Sequence, residues 1–196
     1  VGVLCLAAGC GDDDGGNNTN HNNDNANQNT NGNHNQAPPD DTIYQVQDPS
    51  AASFIPEGGS VALRGVVVTA VDQYGEYDGD VFVQEPAGGP YSGVLLYHPT
   101  VTGGALSDLS VGHVVNVTGQ KAEFALTSDT SGRTTTEIMN EIIEIVELGA
   151  PLEPALISAP QQIMEDPGAE AYEGVLVSVQ NVRRVGVDNY DNVHCT

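Results

Sequence analysis

From Val61 onward the chain is written in apolar, β-branched runs separated by Gly, Pro, Asn and Asp, and this alternation constrains the fold more than any other feature. Val61 to Val71 is the longest run, and Gly65 interrupts it where the lack of a side chain permits sharp curvature. Asp80-Val81-Phe82-Val83-Gln84-Glu85 is stopped by Pro86, and Gly93-Val94-Leu95-Leu96-Tyr97-His98 is stopped by Pro99, so the two suit a hairpin. Between His113 and Lys121, Val115 and Val117 alternate with Asn116 and Thr118, which turns one face inward and the other outward. The pattern predicts an all-β domain over residues 42–150, with Val66, Val68, Val115 and Val117 inside.

Residues 137–148 carry two readings. Glu137, Glu141, Glu144 and Glu147 recur at helical spacing against Ile138, Ile142 and Ile145. Their place after the fourth strand and the β-branched Ile142-Ile143-Glu144-Ile145-Val146 make a fifth strand the better tertiary fit.

Residues 11–41 contain almost no apolar side chain, so nothing offsets the entropy of ordering them. They are expected to form a disordered Asn/Asp-rich linker, spanning about 30 Å as a flexible chain. Before it, residues 1–9 are apolar and uncharged. They fall far short of the roughly 20 residues of a membrane span, but match the end of a secretory signal. Leu6-Ala7-Ala8-Gly9-Cys10 resembles the lipobox of bacterial lipoproteins, although Ala7 stands where the pattern prefers Leu. The resemblance implies that residues 1–10 end a signal peptide, that Cys10 receives a diacylglycerol, and that the acyl chains hold the protein to a membrane. Gly11 after Cys10 implies sorting to the outer membrane or cell surface. An ordinary signal cleaved at an A-x-A-like site is the alternative. Cys5 leaves with the signal, so Cys195 stands alone, with a disulfide partner expected beyond Thr196.

Charge narrows the partners. The net charge is −22, with Arg64, Lys121, Arg133, Arg183 and Arg184 as the only Lys or Arg cations. A chain with no basic stripe has little with which to displace counterions from a phosphate backbone, so strong nucleic-acid binding is not expected.

Leu63 to Val68, then Phe82-Val83-Gln84-Glu85, then Gly93 to Tyr97, then Val111-Gly112 leading to Val117-Thr118-Gly119 together resemble a known module. It is the extracellular OB-fold found in bacterial lipoproteins and before the catalytic domain of secreted endonuclease/exonuclease/phosphatase-type nucleases. The resemblance implies a five-stranded OB-like Greek-key barrel over residues 42–150. A second echo comes after a linker at 151–169, because Glu170 to Val179 is similar to the first strand of such a module. Residues 170–196 are therefore expected to start a second one.

OB barrels bind on the face of their second and third strands and on the flanking loops. Phe82, Tyr97 and Phe124 are the stacking candidates there, and Lys121 and Arg133 the cationic ones, each weighed against ordinary packing. Asp72, Asp78 and Asp80 form a weak Ca²⁺ candidate whose spacing departs from the EF-hand loop, so a solvated acidic hairpin is the plainer reading. Gly-x-Ser-x-Gly, His-Glu-x-x-His, a Walker loop and Cys-x-x-Cys are all missing, and His98 and His113 lack an evident partner. Three readings result: a surface lipoprotein acting as a non-catalytic binding or spacer module with an unknown ligand, the non-catalytic front of a secreted nuclease or phosphoesterase, or a Ca²⁺-dependent adhesion or carbohydrate-binding module.

Overall fold

The computed structural model describes residues 40–72, 79–125, 127, 130, 132–164, 168–180, 182–187 and 193–195. The strands among them are β1 Ser60–Val71, β2 Val81–Gln84, β3 Gly93–Leu96, β4 Thr100–Val101, β5 His113–Phe124, β6 Thr135–Leu148, β7 Ala155–Ile157, β8 Val177–Val179, β9 Arg184–Val187 and β10 Val193–Cys195. The helices are α1 Ile43–Gln47 and α2 Gly168–Ala171.

Five strands close on themselves. β1 pairs antiparallel with β2 and with β5, β2 with β3, and β5 with β6. Parallel pairing of Leu95 with Glu137 and of Leu96 with Ile138 joins β3 to β6 and completes a mixed barrel of OB-like type. Gly65 acts as its position suggests. It takes φ +69°, and the β1–β5 register slips between Leu63 and Val66. That bulge curves β1 so that one strand serves two neighbours.

Val66, Val68, Val115 and Val117 are fully buried, together with Leu63, Val81, Val83, Val94, Leu96, Ile138 and Ile143. Burying a side chain of this size contributes about 1.5–3 kcal/mol against exposure, which makes this interior the main source of stability.

Residues 137–148 are strand. β6 pairs with β5 from Thr135 opposite Phe124 to Leu148 opposite His113, and a surface helix there would leave the barrel without its fifth wall. Asn140 interrupts the alternation with φ +55°, and the register with β5 slips between Thr118 and Gln120. This irregularity accompanies the burial of Glu141 between exposed Asn140 and exposed Ile142.

α1 closes one end of the barrel. Thr42 and Gln45 form a reciprocal capping box, and Ile43 and Val46 are fully buried in the core. Asp41, the last residue of the expected linker, is tied to β1: its amide donates to the Ala62 carbonyl at 2.9 Å and its carboxylate accepts the Ala62 amide at 2.8 Å.

Beyond the barrel, the expected linker at 151–169 contains β7 and a 3₁₀ turn at Pro160–Ile163. Of the expected strand at 170–179, only Val177–Val179 is extended, paired in parallel with β7. Glu170 and Ala171 belong to α2, and Gly174 takes φ +67°, which breaks the run. β9 and β10 pair antiparallel. No helix among the described residues is long and apolar enough to cross a membrane.

Candidate functional site

Strands β2 and β3 turn Val81, Val83, Val94 and Leu96 inward, so Phe82 and Leu95 face outward. Register places Phe82, Leu95 and Glu137 in one row across β2, β3 and β6. Tyr97 continues the outward face past the end of β3. It is 43% exposed, and its ring meets that of His98 edge-on with centroids 4.4 Å apart. The fold therefore brings Phe82 and Tyr97 to one face. Phe124, half exposed at the end of β5, and exposed Arg133 belong to the β5–β6 connection.

Lys121 is not on a ligand face. It is 3% exposed, because the alternation of β5 turns it inward opposite Ile138. Its Nζ donates to the Val46 carbonyl at 2.7 Å, stands 3.2 Å from Glu123 Oε1, and lies 4.2 Å from the centre of the Phe54 ring. A buried ammonium is stable only when so enclosed, and the arrangement makes Lys121 the plug between α1 and the barrel.

At the base of the β1–β2 turn, the Asp72 amide donates to the Asp80 carbonyl at 2.7 Å. The Asp80 carboxylate accepts the His98 amide at 3.3 Å and lies 3.7 Å from His98 Nε2. His113 Nδ1 accepts the Ser110 amide at 3.0 Å, so both histidines have partners that the sequence did not reveal. Asp78 and Cys10 lie outside the described residues. Among the described residues no group of three or more His, Cys, Asp or Glu is placed to hold a metal ion.

Three acidic residues that sequence reasoning passed over sit in or against the barrel. Glu141 is 3% exposed, and its Oε1 accepts the Tyr97 amide at 2.7 Å. Burial pushes its carboxyl up to about 7, helped by the charges of Glu137 and Asp80 and opposed by the backbone hydrogen bonds it accepts. Glu137 is also raised, by burial first and then by Asp80 and Glu123. Glu173 accepts the Thr136 amide at 2.7 Å and is pushed up to about 7, again chiefly by burial. The glutamate spacing at 137–147 was visible in the sequence, but nothing in it marked Glu137 and Glu141 as the buried ones.

A cleft of about 420 Å³ opens between the β2–β3 connection and the residues after the barrel, lined by Gln84, Pro86, Gly88, Gly89, Leu152 and Glu153. Its walls offer one carboxamide and one carboxylate among small and apolar groups. Such a surface suits a neutral or weakly cationic ligand better than an anion. No protein-family model matches the chain, and no curated protein matches it.

Proposed function

We propose that this chain is a lipid-anchored lipoprotein of the cell envelope, in which the OB-like barrel is a non-catalytic binding or spacer module held off the membrane by residues 11–41. The observation that carries the reading is Leu6-Ala7-Ala8-Gly9-Cys10 joined directly to the Asn/Asp-rich tract. A cleavable apolar segment, an acylated Cys and a solvated stalk form a working series: several acyl chains give lasting membrane attachment, and a chain that cannot build a core sets the reach of the barrel.

The interior chemistry supports a structural role for the groups that otherwise invite a catalytic one. Glu141 and Glu173 each hold a backbone amide, and Lys121 holds a carbonyl and a carboxylate within the barrel. A raised carboxyl pKa is a mark of active sites, but buried structural carboxylates show the same shift. The reading includes no resident cofactor. The outward Phe82 and Tyr97, on a chain of net charge −22, fit a neutral or cationic surface ligand rather than a polyanion. Cys10→Ala tests the anchor: the variant should leave the membrane pellet or persist as an unprocessed precursor. A fully mature variant that still sediments with membranes would overturn the proposal.

A further inference from the structure

One end of the β2–β3 sheet is covered by the chain's own residues 171–176. α2 brings Ala171 to the β2–β3 connection, where its carbonyl accepts the Tyr91 amide at 2.6 Å. Gly174, at φ +67°, lies so close to Gly93 that a Cβ on Gly93 would run into the Gly174 carbonyl. The Leu176 amide donates to Oε1 of Gln84, itself 1% exposed, at 2.8 Å. Between these points the Glu173 carboxylate accepts the Thr136 amide at the start of β6. A segment of six residues thus meets β2, β3 and β6 through a few single hydrogen bonds and one close backbone approach, and Val175 is its one buried residue. An element held in this way opens at a smaller free energy than the core beneath it.

We propose that residues 171–176 form a clasp over the end of β2, β3 and β6 that loosens as pH rises, with Glu173 as its proton-sensitive residue. The groups that face Glu173 make the sign definite. Glu170 on α2 and Glu123 on β5 oppose its charge, Lys121 on β5 favours it, and from β6 the Thr136 amide donates to it, while the contacts of the segment on β2 and β3 are made by Leu176 and Gly174 with the uncharged Gln84 and Gly93. Burial outweighs the Thr136 hydrogen bond and the Lys121 charge, and the docked carboxyl is pushed up to about 7 from its ordinary 4.5. The docked state therefore binds the proton more tightly than the released one. Closure is at its firmest below the released pKa and weakens as pH climbs through the docked value. A full shift of this size allows a ceiling of about 300-fold in the closing constant. Since Glu173 is only partly buried, solvent screening brings the expected change to between about tenfold and a hundredfold.

Amide hydrogen exchange on the full chain tests this, with protection factors corrected for the intrinsic rate at each pH. The reporters are the amides of Tyr91, Thr136 and Leu176, and the references are Val115 and Val117 in the core. Protection at the reporters should fall by tenfold or more between pH 5 and pH 7.5 while the references hold. In Glu173→Gln the fall should vanish, with the reporters still protected at pH 7.5. Reporter protection that stays level or rises with pH, a fall shared equally by the references, or a fall that survives in Glu173→Gln would each overturn the proposal. Should that variant fail to fold, the carboxyl ¹³C shift of Glu173 in the unmodified chain decides: a midpoint near 7 supports the clasp and one near 4.5 refutes it.

Discussion

Replacing Lys121 by Met is the sharpest test of the barrel's interior, because it keeps most of the side-chain volume and removes the charge. The Val46 carbonyl, which accepts from Nζ at 2.7 Å, would lose its side-chain donor inside the protein. An unsatisfied buried acceptor costs about 1–3 kcal/mol. The cation over the Phe54 ring at 4.2 Å adds up to about 2 kcal/mol in a desolvated site. Glu123 loses its counter-charge, yet its side chain is 24% exposed and accepts from the Thr134 and Thr136 hydroxyls, so its penalty stays below the roughly 3–5 kcal/mol of a fully enclosed pair. The gain of apolar burial by Met offsets part of this. The net expectation is a loss of about 2–4 kcal/mol, a large share of the roughly 5–15 kcal/mol that holds a typical domain together. Equilibrium urea unfolding followed by circular dichroism measures it. A loss under about 1 kcal/mol, or a gain, would refute the account of Lys121 as an enclosed structural cation.

Other consequences arise from the same geometry. Gly93→Ala should cost about 1–3 kcal/mol, because the new Cβ meets backbone rather than a yielding side chain, and should expose residues 168–180 to protease while the barrel stays folded; unchanged melting and cleavage would contradict this. Glu141 is raised to about 7 in the folded chain, so its contribution to stability is fully present below the ordinary carboxylate pKa and is lost as pH rises through 7. Glu141→Gln should therefore gain on the unmodified chain by about 2–3 kcal/mol between pH 4.5 and pH 8 in urea titrations, and parallel pH profiles would rule the buried acid out. Labelled single-stranded DNA should bind no better than micromolar at physiological salt in fluorescence anisotropy, since such binding needs a cationic groove beside its aromatic platforms. Submicromolar binding that weakens steeply with salt would show a basic groove.

The strands were legible because a period of two reports a face directly: Val66, Val68, Val115 and Val117 are inside as their alternation implies, and Gly65 bends β1 where it interrupts the run. The fifth strand was legible only through its tertiary context, since the local spacing of its glutamates is helical. The hidden features depend on register and bulges. Lys121 reads as a surface cation until its pairing with Ile138 fixes it inward, and Glu141 reads as one of four solvated glutamates until the irregularity at Asn140 accompanies its burial. α1 is too short for any periodicity to announce it. Of the echo of a first strand at 170–179, Val177–Val179 is strand, and Gly174 takes nearly the same φ as Gly65 but packs on Gly93 where Gly65 bends β1.

The central functional claim is the lipid on Cys10, and intact-mass spectrometry of the mature protein, expressed from its full reading frame and extracted from membranes with detergent, tests it most directly. The account predicts a chain that begins at Cys10 and carries the added mass of a diacylglycerol, with or without a further acyl group on its amine. A mature chain of unmodified mass, recovered in the soluble fraction and beginning at any other residue, would contradict it.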